Sequence, residues 1–332
     1  MDGITRRSVV AGGLAGGLAL VASPAMAQGA WPAGIPLIRL IVPFPAGGSV
    51  DAVARLAQPG LQSRLGTSVV VENQPGASGS AATGRVARSA PDGTNFVFVF
   101  DTHAVNPAMQ QLPFDTERDL EPVMLVGTAP NVLATHPSKP YRTLADVIAA
   151  AKAKPDGITY ATIGTGSLGH LTMVRLGQMA GVKLTHVPYR GGGPAMNDAL
   201  AGHVELIVGS AALVNPQLIA TGLRAITQFG SKRVGSETLR ETPTAIESGF
   251  PGLESVAWWG VFAPGKTPPE IVSRFGADLA ASLRDPRAAT ILRDTQQIDL
   301  LAGGPAELRT FLAKEMKVWG AVVRENNIKA DS

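Results

Sequence analysis

Two glycine-rich turns carry the residue types most able to do chemistry in this chain. The first, Pro43-Phe44-Pro45-Ala46-Gly47-Gly48-Ser49-Val50-Asp51, joins an apolar run to a helical pattern. Its glycines let backbone approach a ligand closely, Ser49 is placed to cap the helix, and free N–H groups at a helix start form an anion site. Asp51, near the helix start, would repel an anion, so its expected work is to brace the loop or to accept from a ligand hydroxyl or amine. The second turn, Gly164-Thr165-Gly166-Ser167-Leu168-Gly169, follows another apolar run and opens another helix. It fits the G-x-G-x-x-G fingerprint of dinucleotide sites, so an exported nucleotide-dependent oxidoreductase stands as the alternative reading. A dinucleotide site needs an acidic residue after the next strand to hold the ribose. Here that strand ends Val187-Pro188-Tyr189-Arg190-Gly191. The same N–H geometry serves a small anion, and the missing ribose partner favours that use.

Other catalytic arrangements fail on spacing. The nucleophile elbow needs G-x-S-x-G; Ser167 has Thr165 two residues before it, and Ser78 has Ser80 two residues after. The histidines (His103, His136, His170, His186 and His203) show no metal-binding spacing. Cysteine is absent, which excludes disulfides, thiolate metal sites and cysteine nucleophiles. His170, in the first turn after the second glycine loop, either faces a ligand or serves as a packing or capping histidine. No spacing brings carboxylates together for general acid–base work. A non-catalytic protein without cofactor or metal is expected.

Strands alternating with helices must position these loops. Leu37 to Val42 reads as a buried strand leading into a helix from Ser49 to about Leu65. Val69–Val71, Asn95–Phe100, Ile158–Ile163, Lys183–Val187, Leu206–Gly209 and Leu223–Gln228 read as further strands, with helices between most of them. Thr143 and Asp146 form a capping-box pattern, Thr267 is placed to cap a helix opening on Pro268 and Pro269, and the last helix runs from about Pro305 to Asn326. Alternating strands and helices imply parallel α/β sheets, in which ligands sit beyond the carboxyl ends of the strands. No linker divides the chain cleanly. Two lobes joined by strands that cross more than once fit this, with Val123–Ala134 and Ser255–Ala263 as the crossing segments.

The chain has 332 residues, of which 45% are hydrophobic, enough for about two ordinary domains. A formal charge of +3 and sparse aromatics argue against nucleic-acid binding. Thr5-Arg6-Arg7-Ser8 precedes an uncharged stretch from Val9 to Ala22, and Ala25-Met26-Ala27 supplies an A-x-A cleavage site. Residues 1–27 therefore read as a cleaved secretory signal, with the paired arginines pointing to twin-arginine export. The mature chain is expected to be a monomer in the periplasm.

Taken in order, the landmarks resemble the substrate-binding proteins of tripartite tricarboxylate transporters, the Bug family. Besides the two glycine turns these are Val71-Glu72-Asn73-Gln74-Pro75-Gly76, Ala90-Pro91-Asp92-Gly93, Ala129-Pro130-Asn131-Val132, Val187-Pro188-Tyr189-Arg190-Gly191-Gly192, Pro243-Thr244, and Trp259-Gly260 with Ala263-Pro264. Thr94-Asn95 and Thr172-Met173-Val174-Arg175 depart from the family pattern outside the glycine loops. The resemblance implies a type II periplasmic-binding fold: two α/β lobes joined by crossing strands, closing on a ligand cleft. Lobe 1 would comprise residues 28–131 and 258–332, and lobe 2 residues 132–257. It implies a small organic acid held by Phe44, Ala46, Gly47, Gly48, Ser49 and Asp51 from one lobe and by Gly164, Thr165, Gly166, Ser167 and His170 from the other. Further contacts are expected from Thr102 and His103, in the Asp101-Thr102-His103 segment, and from Ser210 and Ala211. The implied partner is a tripartite tricarboxylate-type membrane permease or a sensor.

Overall fold

The structure, a computed structural model, describes residues 31–235 and 237–330. The export signal expected over residues 1–27 lies outside the described residues. In chain order the elements are β1 (Leu37–Val42), α1 (Ser49–Leu65), β2 (Ser68–Asn73), α2 (Ser80–Ala87), β3 (Asn95–Phe100), α3 (Thr102–Met109), β4 (Leu120–Thr135), α4 (Leu144–Ala153), β5 (Thr159–Thr162), α5 (Leu168–Ala180) and β6 (Thr185–Pro188). Then follow α6 (Gly192–Leu200), β7 (Leu206–Ser210), α7 (Ala211–Thr221), β8 (Arg224–Gln228), α8 (Glu237–Arg240), β9 (Val256–Pro264), α9 (Pro269–Leu283), α10 (Pro286–Thr290), β10 (Asp299–Gly303) and α11 (Pro305–Glu325).

These form two α/β lobes. In the first, β2-β1-β3 run parallel and β9 pairs antiparallel with β3. In the second, β7-β5-β6 run parallel and β7 pairs antiparallel with β4. β1 and β3 are apolar runs, as expected of parallel strands covered on both faces. Ile38, Leu40, Ile41 and Val42 of β1 are all buried, as are Phe96 to Phe100 of β3. Phe96 stacks on Phe275 of α9 at 3.6 Å between ring centroids.

The sheets are mixed rather than wholly parallel because β4 and β9 traverse the molecule in opposite directions. Residues Leu120 to Pro130 of β4 pair antiparallel with β9, whereas Asn131 to Thr135 pair with β7 and β8 on either side. One continuous strand therefore belongs to both sheets. The changeover falls at Asn131: its N–H donates to Ser255 O, its carbonyl accepts from Phe229 N–H, and its side-chain Nδ2 donates to Ser255 Oγ at 2.8 Å. Both side chains are buried. A buried amide in the middle of an apolar strand costs free energy unless it is paired, and here it is.

Several local expectations are met. The capping box at Thr143 and Asp146 is present, and the bounds of β1, α1 and β3 coincide with those read from sequence. Thr267 does not cap α9: Pro268 takes that position, and Thr267 Oγ1 instead donates to Pro264 O at 2.7 Å. The reading also missed β10, a short strand on β4 whose register shifts and whose Ala302 has a left-handed φ of 48°. It missed α3 as well, a two-turn helix interrupted by Pro107. No helix among the described residues is long and apolar enough to cross a membrane.

Asn131→Leu should strand the buried Ser255 hydroxyl and lower stability by about 1–3 kcal/mol in urea unfolding. Adding Ser255→Ala should recover part of that loss; full additivity of the two substitutions would show that the pair does not interact.

Candidate functional site

The β1–α1 turn is held from behind by Asp51. Its Oδ2 accepts from Gly47 N–H at 3.1 Å, and its Oδ1 accepts from Arg55 Nε and Asn73 Nδ2, each at 2.9 Å. Asn73 Nδ2 also donates to Phe44 O at 3.1 Å. Burial pushes the Asp51 carboxyl up, but the donors from Arg55, Gly47 and Asn73 outweigh it and hold it below the usual carboxylate range. Asp51 thus stays ionised, with both oxygens engaged inside its own lobe. Ser49 is not the cap of α1. Gly48 occupies that position in an ordinary extended conformation (φ −83°, ψ 169°), so the helix starts without a side-chain cap and Ser49 becomes its first residue.

The opposing turn, between β5 and α5, folds tightly on itself. Ser167 caps α5 by accepting from His170 N–H, and its Oγ donates to Gly164 O at 2.8 Å. Gly166 N–H donates to His170 Nδ1 at 3.2 Å. The His170 ring stacks on His186, 3.9 Å between centroids, and His186 Nε2 lies 2.7 Å from Thr162 Oγ1. Burial, with His170 alongside, pushes His186 down to about 3, so it is neutral at physiological pH. Gly166 has φ +80°, and a Cβ there would lie 3.1 Å from Met109 Cε of the other lobe.

The two lobes meet along these turns. Gly191 and Gly193, around the start of α6, lie against Pro45 and Ala46; a Cβ at Gly191 would come within 2.7 Å of Pro45 Cδ, and one at Gly193 within 2.9 Å of Ala46 O. Only glycine permits that approach. Ser78 (φ 50°) bridges on the other side, its Oγ donating to Thr165 O at 3.3 Å while its carbonyl accepts from Thr102 Oγ1 and Asn106 Nδ2. A buried apolar cluster of Val105, Leu168, Leu171, Trp319, Val322 and Val323 joins α3, α5 and α11.

Between the lobes lies an enclosed cavity of about 20 Å³, room for roughly one water. Its walls include Phe44, Gly48, Ser49, Asp101, Asn131, Ser167, Gly192 and Ser210. The starts of α1, α5, α6 and α7 thus all abut it, and helix starts favour negative charge; no basic side chain lies in its walls. Two polar atoms there are buried and unpartnered, Asp101 Oδ1 and Ser210 Oγ. Larger clefts flank it: one of about 420 Å³ past Phe44, Gly164, Thr165 and Arg190, and one of about 480 Å³ past Ala46, Gly47 and Gly193.

Of the residues singled out in the sequence, the structure brings Phe44, Gly48, Ser49, Ser167 and Ser210 to the enclosed cavity. Ala46, Gly47, Gly164 and Thr165 line the flanking clefts. Asp51, Gly166 and His170 lie behind these walls, committed to holding the loops. Thr102 is spent on Ser78, and Ala211 is buried at the first position of α7. His103 packs against Phe262 at 5.0 Å, and burial pushes it down to about 3. Asp101 and Asn131 are the wall residues with polar side chains that were not counted among the contacts. An acid ending a wholly apolar strand and an amide inside one were the signals that mark them. Among the described residues, no group of His, Asp or Glu is placed to hold a metal ion.

The family model described as tripartite tricarboxylate transporter family receptor, TctC, matches residues 53–328. BugT of Bordetella pertussis is 33% identical over 295 residues, covering 88% of this chain and 90% of that protein. Among solved structures, Rpa4515 of R. palustris with adipate is 31% identical with a TM-score of 0.84, covering 91% of this chain and all of that one. MatC from Rhodopseudomonas palustris with bound malate is 29% identical with a TM-score of 0.81, covering 87% and 99%.

Burial pushes the Asp101 carboxyl up to about 8; the N–H groups of Leu168 and Thr102 oppose this, and the Glu315 carboxylate adds to it. An unfolded aspartate titrates near 4. Between about pH 4 and 8 the folded chain therefore keeps a proton that the unfolded chain has released, and stability falls as pH rises. Asp101→Asn should accordingly raise the melting temperature at pH 8.5 and change it little at pH 4. Melts that show the same difference at both pH values would contradict this account.

Proposed function

Because this chain belongs to the tripartite tricarboxylate transporter receptor family, we propose that it is a periplasmic solute-binding protein for a small carboxylate. The observation that carries this reading is the meeting of four helix N-termini at one interlobe cavity with no basic side chain in its walls. N–H groups at helix starts favour an anion, and charge-assisted hydrogen bonds contribute roughly 1.5–3 kcal/mol each. The relatives solved with adipate and with malate support a carboxylate as the ligand. The dinucleotide alternative gains nothing from the geometry: the start of α5, within Gly164–Gly169, packs against Asp101 and Met109, and β6 ends at Pro188 with no acidic residue to hold a ribose.

In this reading, residues 28–131 with 258–332 form one lobe and 132–257 the other, and they part about Ala129–Ala134 and Ser255–Ala263. Such a hinge needs only a few residues at strand crossings to absorb the rotation. The protein then hands its ligand to a tripartite tricarboxylate-type permease or to a sensor. It reaches the periplasm through a signal over residues 1–27, by the twin-arginine route.

Thermal-shift screening with small mono- and dicarboxylates tests the reading. A ligand at about 100 times its Kd should stabilise the fold by roughly 2.7 kcal/mol. Gly166→Val, which forces a branched side chain into a left-handed φ and onto Met109, should abolish the shift in a protein that still folds by circular dichroism. Retained wild-type affinity in that variant would place the ligand elsewhere. For export, replacing Arg6 and Arg7 by lysine should leave unprocessed precursor in cells; normal processing would refute the twin-arginine route and leave periplasmic residence standing.

A further inference from the structure

The walls of the enclosed cavity hold one ionisable side chain, and carboxylate binding by helix starts does not account for it. Asp101 lies between β3 and α3 and is almost wholly buried. The backbone N–H groups of Thr102 and of Leu168, the first residue of α5 on the other lobe, reach its carboxyl, while Oδ1 has no partner. Ser210 Oγ, at the cap of α7, is the other unpartnered polar atom of the same walls. A carboxylate placed here has lost its water and lacks a donor for one oxygen, so the neutral acid is the cheaper form. The groups packed around it do not reverse this. Glu315 of α11, which accepts from Trp319 Nε1 at 2.9 Å, adds a like charge. On α3, His103 packs on Phe262 and burial keeps it neutral. On α5, His170 accepts from Gly166 N–H through Nδ1.

Resting on the carboxylate reading and on lobes that part and close, we propose that Asp101 couples ligand capture to a proton: it is ionised while the lobes are apart and takes up one proton from solvent when they close. Parting the lobes withdraws Leu168 and lets water reach the carboxyl, which then behaves as a surface aspartate. Closing removes that water. An ionised Asp101 would repel a ligand carboxylate gathered at the helix starts, in a cavity with no basic side chain to offset the repulsion. A neutral Asp101 instead has an O–H to donate to that carboxylate. The proton thus removes a like charge and gives the unpartnered end of the side chain work to do. It returns to solvent when the ligand leaves. In the closed form burial pushes the carboxyl up to about 8, whereas a wetted aspartate titrates near 4. The closed form therefore holds the proton more tightly, so closure is favoured on the acid side and loses that advantage as pH rises towards 8. Asp51 has no such part, because both its oxygens are bonded to Gly47, Arg55 and Asn73 within one lobe.

Calorimetric titration with propionate, succinate, L-malate and adipate tests the proposal. Each acid is titrated near neutral pH, where its own carboxyls are ionised, in buffers of different ionisation enthalpy, so that protons exchanged on binding are counted directly. For every acid that binds, the wild type should take up close to one proton at pH 7, and its affinity should fall by roughly five- to tenfold from pH 6.5 to pH 7.5. Asp101→Asn keeps the shape and an N–H donor but cannot titrate, so it should bind with no proton uptake and with affinity flat across that range. Asp101→Ser serves in its place if the asparagine variant does not fold. Binding by the wild type without proton uptake, or uptake and pH dependence that persist in the variant, overturns the proposal and leaves carboxylate binding intact. Failure of the wild type to bind any of the four overturns the carboxylate reading and this proposal with it.

Discussion

The architecture depends on one strand being shared. Because β4 pairs with β9 and β10 in its first half and with β7 and β8 in its second, neither sheet can be completed without the other. Everything at the cleft is referred to the changeover at Asn131. Its backbone is tied to Ser255 and Phe229, its side chain to Ser255, and its register partner Ser210 opens α7. The loops that face each other across the cavity begin at strand ends whose heights are fixed by pairing to this strand or to its neighbours. A ladder of backbone hydrogen bonds thus does what a single buried contact could not: it sets the distance between two helix starts in different lobes.

That geometry brings the starts of four helices together at a point where water is nearly excluded. Helix starts are tolerated unpaired at a surface because solvent serves them; inside a closed cleft the same groups demand a negative partner. Behind the cavity walls, a second set of side chains acts on the loops. Asp51 with Asn73 and Arg55 holds one turn, and the His170–His186 stack with Thr162 holds the other. Rigid walls of this sort reduce the ordering cost of binding, since little beyond the lobes themselves must be fixed when a ligand arrives.

Much of this was legible in the residues. The apolar runs placed β1, β3 and the crossing strands, because buried strands must be continuous in hydrophobicity, and the glycine turns marked the cleft because close backbone approach leaves few substitutes for glycine. What escaped depends on assembly in three dimensions. Strand direction cannot be read from a run of valines, so the antiparallel β9 was invisible as such. α3 carries a proline inside two turns, and β10 has an irregular register, so neither shows a clean period. Ser49 looks like a cap until Gly48 is seen to adopt the cap's extended backbone. Asp101 is a single acid after an apolar strand; only the arrival of α5 from the other lobe makes it a buried carboxyl in a shared cavity. His170 reads the same in sequence whether it faces inward to a ligand or, as here, backward to Gly166.

The apolar contact of α11 with α3 and α5 has a thermodynamic consequence. Trp319, Val322 and Val323 pack on Val105 from one lobe and on Leu168 and Leu171 from the other, so the C-terminal helix is glued to both. A lobe motion that lifts Leu168 and Leu171 away would wet this surface, and its reversal on ligand binding would carry a negative heat-capacity change far larger than a small acid can produce by its own burial. A motion that pivots about the cluster would leave it dry and the heat capacity almost unchanged. The temperature dependence of the binding enthalpy therefore reports which edge of the molecule opens, without any view of the open form.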